Sequence, residues 1–305
     1  MKRVGIVSCN QWINKIKEDL YLNRELLVLG IESSLISWED PNVDYSLYDC
    51  LIIRSIWGYQ DKPEEFYRWL EQMKQSKVMM FNSPELIENN IRKDIQFGIF
   101  QENGIPTIKT GFIYEKDISG SISSAVLEMD ESQLDCTRVF VVKPIISGSG
   151  NNTYLIDLTG RSTRPNNVQI IELDRLFNGI IREQNNGLMV QHFISEIDNG
   201  ELSSIFIDGQ NTHNVRRYPS IFHGKKSQEL ETDVSPSMLE LAKKVEAIPE
   251  YSGYLYMRSD IVEHNGQPIV MEVELTDPDL LTRYIPEETR DTAIKTLAKK
   301  IERRL

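Results

Sequence analysis

Along the first 85 residues, hydrophobic and polar positions follow two different periods in turn. Two segments, 15–30 and 62–76, have the 3.6-residue spacing of helices. The first stops at Gly30 and the second begins with Pro63, as helices commonly do. Short apolar runs between them predict strands at residues 2–9, 32–38, 48–57 and 77–84. Strands that alternate with helices predict a small α/β unit with a parallel sheet.

The pattern changes beyond this unit. Residues 83–104 hold two helical segments, and from 107 to about 220 strands dominate between loops rich in Ser, Asn and Gly. A helix from 235, a strand pair within 253–275 and a terminal helix over about 286–304 follow. The chain as a whole is therefore expected to be α/β, with α+β portions after the first unit.

The composition is that of an ordinary globular protein, with 40% hydrophobic and 26% charged residues. The net charge of −12 argues against a broad phosphate-binding surface, so neither nucleic acid nor an anionic membrane is expected as a partner. Cys9, Cys50 and Cys136 lack metal-ligand spacing and suggest a reducing compartment. Because no signal peptide and no apolar span of about 18 residues is found, we expect a cytoplasmic protein.

The predicted strand 269–275 carries two glutamates among its apolar residues. Glu272 and Glu274 are two positions apart, and side chains two apart on a strand share a face. Asp277 and Asp279 follow just beyond it. The shared face is either solvated or arranged to hold a cation.

The same strand is the second arm of a hairpin around Asn265-Gly266. A two-residue turn would place Asp260 of the first arm opposite Met271 and send the glutamates to the other face. An odd-length loop or one bulge residue would instead place Asp260 opposite Glu272. We predict this second register, and with it a turn other than the simple two-residue one. It brings together Arg258, Asp260, Glu272 and Glu274.

Two lysines and a loop of small residues form a candidate anion site. Lys143 lies on a strand that is followed by Ser147–Asn152, where glycine and serine let backbone N–H groups approach an anion closely. The spacing is not that of a Walker phosphate loop, and a flexible hairpin is the alternative. Lys93 lies on a short helix, where a lysine is usually solvated. Arg54 and Trp57 end a parallel strand, where open α/β sheets bind ligands.

Taken in order, these stretches resemble the ATP-grasp superfamily over nearly the whole chain. Within it, "LIIRSIWGYQDKPEEFYRWL" and "FNSPELIENNIRKDIQFGIFQENGIPTIKT" are most like D-cycloserine synthetase and similar glutathione-synthetase-like ligases. The resemblance implies an ATP-grasp fold, in which a small pre-ATP-grasp α/β domain precedes two α+β subdomains that clamp ATP. The corresponding residues are 1–85 for the first domain, 86–188 for the small (lid) subdomain and 189–305 for the C-terminal subdomain with the metal site.

The activity that this resemblance implies is an ADP-forming, C–N bond-forming ligation in amino-acid, peptide or natural-product biosynthesis. ATP phosphorylates a carboxylate, and an amine or other nucleophile then displaces phosphate. The substrates are small molecules, or one of them is bound to a carrier or peptide, and both a monomer and a homodimer remain open. A phosphotransferase on the same scaffold and a nucleotide-binding protein without turnover are the alternatives.

The resemblance also carries roles to particular residues. ATP would contact Lys93, Lys143, Ser147, Gly148, Ser149, Gly150, Gln191, His192, Phe193 and Glu196, with Asp198 as the rival of Glu196 for the ribose. Two Mg²⁺ ions would be held by Asp260, Glu272 and Glu274. The catalytic arginines would be Arg258 and Arg217, with Arg216, Lys225 and Lys226 as alternatives to Arg217. Arg54 and Trp57 would contact the substrate, although Arg54 is equally well explained as a structural arginine that caps the following helix.

Two departures from the family pattern concern the substrate. Gly58 stands where relatives have an acidic residue, in a loop that borders the acceptor site. After "THNVRRYP", relatives carry an arginine and a glycine pair, whereas this chain reads "SIFHGKKSQELETDV". These differences leave the nucleotide chemistry in place and the identity of the substrate open.

Overall fold

A computed structural model of the chain describes residues 1–118, 120–132, 138–148, 150–160, 167–183, 187–218, 227–230 and 233–305. Three β-sheets follow one another along these residues, and each has its own set of helices. The predicted mixed α/β class is confirmed.

The N-terminal sheet is parallel, with strand order β2-β1-β3-β4. Its strands are β1 (Arg3–Ser8), β2 (Glu32–Ser37), β3 (Cys50–Ile53) and β4 (Met79–Phe81), connected by helices that include α1 (Lys17–Val28) and α2 (Pro63–Gln75). All four residues of β3 are buried, as expected of a parallel strand between helical layers. This strand is shorter than predicted, and Arg54 and Ser55, which follow it, bind side chains of α1.

The middle sheet has the strand order β5-β9-β6-β7-β8. Helices α3 (Pro84–Asn90) and α4 (Lys93–Glu102) lead into it, and its strands are β5 (Thr110–Ile113), β6 (Val139–Pro144), β7 (Tyr154–Asp157), β8 (Asn167–Val168) and β9 (Leu188–His192). The sequence predicted mainly strands in this region, but the structure also contains helices α5 (Ile122–Ser132) and α6 (Leu173–Glu183), which cover one face of the sheet. Val126 of α5 and Phe177 of α6 are fully buried in the core that they share with Val142 of β6.

The third sheet is antiparallel, with strand order β12-β11-β10-β13-β14. Its elements are β10 (Glu201–Ile207), β11 (Gln210–Tyr218), β12 (Ser227–Leu230), α7 (Pro236–Glu246), β13 (Tyr256–His264), β14 (Gln267–Glu274) and α8 (Glu287–Arg304). One core joins this sheet to the N-terminal sheet, since Leu297 of α8 packs in the same cluster as Leu26 of α1 and Ile205 of β10. A second core joins the third sheet to the middle sheet, since Met189 of β9 packs in the same cluster as Leu202 of β10.

The strand pairing of the middle sheet places the subdomain boundary differently from the one expected at residue 188. Strand β9 begins at Leu188 and pairs with β5 and β6 of the middle sheet, so a boundary at 188 would separate β9 from its partners. We propose that the boundary lies after His192, where the chain leaves the middle sheet.

The β13–β14 hairpin has the predicted register but not the predicted turn. Asp260 lies opposite Glu272 and Arg258 opposite Glu274. The turn itself is a two-residue one, with His264 opposite Gln267 and both Asn265 and Gly266 at positive φ, so the expectation of another turn type was wrong. The register changes between Asp260 and Ile261, where Met271 is the extra residue of a bulge. The bulge, and not the turn, brings the charged side chains to one face.

Asn82, at the end of β4, ties the N-terminal sheet to the third sheet. Its buried side chain donates to the backbone oxygens of Tyr256 (3.0 Å) and Leu275 (2.6 Å) and accepts from the backbone N–H of Leu255 (2.6 Å). Three backbone groups of the third sheet thus depend on one amide of the N-terminal domain.

We expect Asn82→Ala to lower the free energy of unfolding by about 3 kcal/mol, because it leaves three buried backbone groups without partners. Urea unfolding followed by tryptophan fluorescence would measure this loss. Asn42→Ala, at an exposed turn, is the matched control and should change stability little. A loss at Asn82 no larger than at Asn42 would contradict the assigned role.

Candidate active site

A cavity of about 460 Å³ is lined by residues of the middle sheet, of the third sheet and of the segment that follows β3. Eleven charged side chains contribute to the described lining. The cations are Lys93, Lys143, Arg217, Arg258 and Arg283, and the anions are Glu201, Asp260, Glu272, Glu274, Asp277 and Asp279.

The third sheet supplies the base of the cavity. Arg258 donates to Asp260 (3.0 Å from Nη2 to Oδ2) and to Glu274 (2.6 Å from Nη2 to Oε1). Arg217, on β11, pairs with Asp260 at 2.7 Å and also with Glu201. Burial by itself would raise the pKa of Asp260, but Arg217 and Arg258 hold it below the usual range. The two arginines expected to be catalytic thus meet at one carboxylate that was expected to bind metal.

The edge strand β14 is held by side chains of the helices that precede the middle sheet. Asn90 of α3 donates to the backbone oxygen of Val273 (2.8 Å), and Gln96 of α4 both donates to that oxygen (2.7 Å) and accepts from the N–H of Val273 (3.0 Å). These amides satisfy backbone groups that an edge strand would leave open. They also fix Lys93, on the first turn of α4, beside Glu272.

The two predicted phosphate-binding lysines lie close together. Lys93 is buried and donates to Glu272 (2.6 Å) and to the backbone oxygen of Ser147 (3.1 Å). Lys143 has no hydrogen-bond or ion-pair partner among the described residues. Burial and the neighbouring charge of Lys93 lower the pKa of Lys143 to about 8. Two ammonium groups held near each other form an environment that favours an anion.

The small-residue loop between β6 and β7 borders the same space. Ser147, Gly148 and Gly150 line the cavity. Gly150 (φ 74°) and Asn152 (φ 49°) adopt the left-handed conformation that tightens the turn. Ser149, which was assigned to the same loop, lies outside the described residues, as do Lys225 and Lys226.

The predicted adenine segment also lines the cavity, at the end of β9. Gln191, His192 and Phe193 all contribute to the wall, and the Gln191 amide donates to the Thr110 hydroxyl at 3.0 Å. Glu196 does not contribute to the described lining. It accepts instead from Nδ1 of His264 at 3.0 Å, beside the hairpin turn.

The predicted metal carboxylates converge, but in this structure they contact cationic side chains. Within the described part of the chain, no group of three or more His, Cys, Asp and Glu side chains is arranged to hold a metal ion. Their chemistry nevertheless suits a cation: burial, opposed by Arg258, raises the pKa of Glu274 to about 7, with Glu272 and Asp260 adding to the rise. Burial likewise raises the pKa of Glu201 to about 7. All-oxygen, carboxylate-rich surroundings of this kind fit Mg²⁺.

The two residues assigned to the substrate have different positions. Trp57 lines the cavity and packs edge-on against Trp12, with ring centroids 5.7 Å apart. Arg54 is 3% exposed and lies outside the described lining. It donates to Glu18 of α1 (2.7 Å) and lies 3.6 Å from Asp19. These contacts match a structural arginine, although one that binds the preceding helix α1 and does not cap α2.

Sequence reasoning assigned no role to several residues that line the cavity, among them Tyr59, Glu201, Asp277 and Asp279. For the two aspartates a signal was present, since the acidic run that includes Glu272 and Glu274 continues to residue 279. Tyr59 and Glu201 had no signal of their own, because only the meeting of separate sheets places them here.

Comparison with known proteins shows which proteins share this fold. The model of the N-terminal domain of D-cycloserine synthetase DcsG matches residues 4–82. The solved structure of D-cycloserine synthetase DcsG superposes with a TM-score of 0.81 at 18% identity, covering 99% of both chains. The chain has the fold of ATP-grasp ligases, and its first 82 residues contain the match to the D-cycloserine synthetase family model.

Particular relatives show how far the likeness extends. The cycloserine biosynthesis protein DcsG of Streptomyces lavendulae is 23% identical over 266 residues, which are 83% of each chain. D-Alanine–D-alanine ligase from Bacillus anthracis, solved with ATP, has a TM-score of 0.67 at 14% identity and 99% and 97% coverage of the two chains. The ATP-grasp ligase PsnB, solved with a variant of its minimal precursor, Mg and ADP, has a TM-score of 0.63 at 14% identity and 97% and 98% coverage.

In the part of the chain that the structure describes, no helix combines the length and the apolar character needed to cross a bilayer.

Arg54→Met should lower the free energy of unfolding by about 3–5 kcal/mol, because Glu18 and Asp19 would remain buried without their cation. Adding Glu18→Gln and Asp19→Asn should restore much of this loss, which equilibrium unfolding in urea would measure. A direct role in substrate binding would give a different result: the single variant would keep its stability and raise the KM of the substrate.

The low pKa of Lys143 predicts a pH dependence of nucleotide binding. Only the protonated ammonium attracts phosphate, so ATP affinity should fall as the pH rises through about 8, by up to about tenfold per pH unit. Lys143→Arg should remove the fall, because a guanidinium stays charged over this range. Calorimetric titration with a non-hydrolysable ATP analogue between pH 7.5 and 9.5 would test this. Parallel pH profiles for the two proteins would contradict it.

Proposed function

We propose that the chain is an ATP-dependent ligase that activates a carboxylate as an acyl phosphate and joins it to an amine or another nucleophile, with release of ADP and phosphate. The observation that carries this proposal is the convergence of lysines from the middle subdomain with arginines and carboxylates from the third sheet in one cavity. The ATP-grasp fold, the likeness to D-cycloserine synthetase and the ATP and ADP complexes of other relatives support it.

At the nucleotide end of the cavity, Lys93, Lys143 and the loop 147–150 would bind the phosphates. The segment Gln191–Phe193 would hold the adenine, and the ribose partner would be Glu196 or Asp198. Glu196 would have to leave His264 in order to bind the ribose, and Asp198 is its rival for this role.

Asp260, Glu272 and Glu274 would hold the magnesium, which we propose to be two ions. When bound, magnesium supplies positive charge that neutralises the phosphate oxygens. Carboxylates that ligate a metal would no longer hold Lys93 and Arg258, and these two cations would then be free to face the phosphates. The ion pairs of this structure thus hold in place the cationic groups that the proposed reaction needs.

In the first step, an oxygen of the substrate carboxylate attacks the γ-phosphorus, and the bond from that phosphorus to ADP breaks. In the second step, the nucleophile attacks the acyl carbon, loses a proton, and phosphate leaves. Negative charge develops on phosphate oxygens in the first step and on the acyl oxygen in the second. Arg258 and Arg217 would stabilise this charge, and their ion pairs with Asp260, which orient both guanidinium groups, support this role.

We infer a reducing, cytoplasmic setting for the enzyme. Cys9 and Cys50 are free, buried thiols, which is compatible with a cytoplasmic protein. The substrates would be small molecules, or one of them would be bound to a carrier or a peptide.

Glu272→Gln and Glu274→Gln test the function. Each should lower Mg²⁺-dependent ATP turnover by about 100-fold or more, because a neutral amide is a poor magnesium ligand in place of a carboxylate. Glu263→Gln, on the same hairpin but exposed, is the matched control and should retain activity.

The readout is ADP release with pairs of carboxylates and amines. A ligase needs both members of a pair, whereas a phosphotransferase would release ADP with one acceptor and leave a stable phosphorylated product. Failure of the wild-type protein to bind Mg–ATP at all would refute both activities.

A further inference from the structure

Arg258 uses different atoms of its guanidinium for different partners. Its Nη2 donates to Asp260 at 3.0 Å and to Glu274 at 2.6 Å, and its Nε also donates to Asp260. Its Nη1 donates instead to the backbone oxygen of Asp279 at 3.2 Å. Because a guanidinium holds its donors in a rigid plane, Nη1 can stay on the backbone oxygen while the other two nitrogens change partner.

The backbone oxygen differs from the two carboxylates in what the proposed reaction would require of it. Asp260 and Glu274 are proposed magnesium ligands, so both would leave Arg258 when Mg–ATP binds. The Asp279 oxygen has no part in the proposed metal site. It is also neutral, so it orients the guanidinium without compensating the positive charge that the phosphates need. Of these three partners, it is the one that would stay with Arg258 through the reaction.

The position of this oxygen depends on contacts made outside the cavity. Asp279 lies in the irregular segment between β14 and a short 3-10 helix that begins at Thr282. Its own side chain faces another way, since Arg283 pairs with it at 2.6 Å. Because such a segment is not part of a strand ladder or a helix, side chains of other elements have to satisfy and fix its backbone.

Glu18 of α1 fixes the segment on the C-terminal side of Asp279. One carboxylate oxygen accepts from the Thr282 hydroxyl at 2.7 Å and from the Thr282 N–H at 3.3 Å. The other accepts from the N–H of Leu280 at 3.4 Å. Thr282 is 4% exposed, so water does not compete for these hydrogen bonds.

Arg54 extends the support to the N-terminal side. It pairs with Glu18 at 2.7 Å and donates to the backbone oxygen of Pro278 at 3.4 Å. One buried ion pair of the N-terminal domain thus holds the residues directly before and after Asp279. Glu18, Arg54 and Thr282 lie outside the described lining of the cavity, so their effect on the chemistry would pass through this segment.

We infer that Glu18 and Thr282 are positioning residues for Arg258: they hold the backbone oxygen of Asp279 as the acceptor that keeps the guanidinium in place when magnesium takes the carboxylates. The inference rests on the proposed ligase function and deepens it, since it names the residues that orient its catalytic arginine. It also gives the N-terminal domain a role in phosphoryl transfer.

The test compares the binding of two complexes to the full chain by calorimetric titration. Mg–ADP probes the nucleotide site alone, whereas Mg–ADP with tetrafluoroaluminate also mimics the planar phosphoryl group in transfer, which Arg258 would stabilise. Thr282→Val removes the hydroxyl and keeps the shape of the side chain. It should weaken the tetrafluoroaluminate complex by about tenfold or more and change Mg–ADP binding by less than about twofold, because a displaced guanidinium loses its contacts with the group in transfer.

Three further variants separate the hydroxyl from the fold. Thr282→Ser keeps the hydroxyl and should bind both complexes as the wild-type protein does. Glu18→Gln keeps a weaker, neutral acceptor and should act in the same direction as Thr282→Val. Thr292→Val is the matched control on α8, where an exposed hydroxyl donates to the backbone oxygen of Glu288, and it should change neither complex.

A double-mutant cycle shows whether the effect passes through Arg258. Arg258→Lys keeps the positive charge but lacks the planar fork that reaches the carboxylates and the Asp279 oxygen together. In that background, Thr282→Val should weaken the tetrafluoroaluminate complex by less than about twofold, because the oriented group is already lost. An effect as large as in the wild-type background would show a general disturbance of the segment and would overturn the inference.

Other results would overturn the inference and leave the ligase proposal in place. They are an equal loss of both complexes in Thr282→Val, unchanged binding of both complexes by that variant, and no gain in wild-type affinity when tetrafluoroaluminate is added to Mg–ADP. Failure of the wild-type protein to bind either Mg–ADP or Mg–ATP would instead overturn the ligase proposal, and the inference with it.

Discussion

The compensation of buried charge is the constraint on which the rest of this structure depends. Six acidic and five basic side chains line one cavity, and most could not be tolerated there singly. In the third sheet the pairing register of β13 and β14 brings opposite charges together, because the bulge at Met271 puts Arg258 opposite Glu274 and Asp260 opposite Glu272. Without that register the same charges would point to opposite faces of the sheet, and the core on the other face would have to accept them.

Charges from different sheets can neutralise each other across the cavity only if the sheets are held at fixed distances. Side-chain amides fix much of this spacing. Asn82, Asn90 and Gln96 each form hydrogen bonds with backbone groups of the third sheet or of the loop after it. A backbone contact depends on the position of the chain and not on its side chains. Lys93 can therefore meet Glu272 at 2.6 Å although 179 positions separate them.

The two ends of the cavity differ in how their charges are balanced. At one end, Lys93 and Arg258 pair with the carboxylates that are proposed to hold magnesium, so binding of Mg–ATP in the proposed mode would exchange one set of pairs for another. At the other end, Asp277 has no such partner among the described residues and is held by anchored chain on both sides. The first arrangement suits a cofactor that binds and leaves in every cycle.

The sequence by itself determined the class of fold, the order of most elements and the family, because these depend on local periodicity and on motifs. It also placed Asp260 opposite Glu272 by counting along two strands, but it assigned the necessary extra residue to the turn. The Asn265-Gly266 turn follows its local preference, and the shift arises at Met271, where packing of the third sheet and not turn chemistry decides the register. The pairing of residues in one hairpin can be worked out by counting along its two strands, whereas the position of a bulge in it cannot be read from the sequence.

Only the tertiary structure decided which side chains share the cavity. Arg54 and Trp57 are three residues apart, yet one is buried against α1 and the other lines the cavity, because the chain turns sharply after β3. Tyr59, Glu201 and Asp277 come from three separate elements and carry no motif that would join them. Their proximity is a consequence of how three sheets pack, and that packing is set by contacts between residues far apart in the chain, which no local pattern in the sequence records.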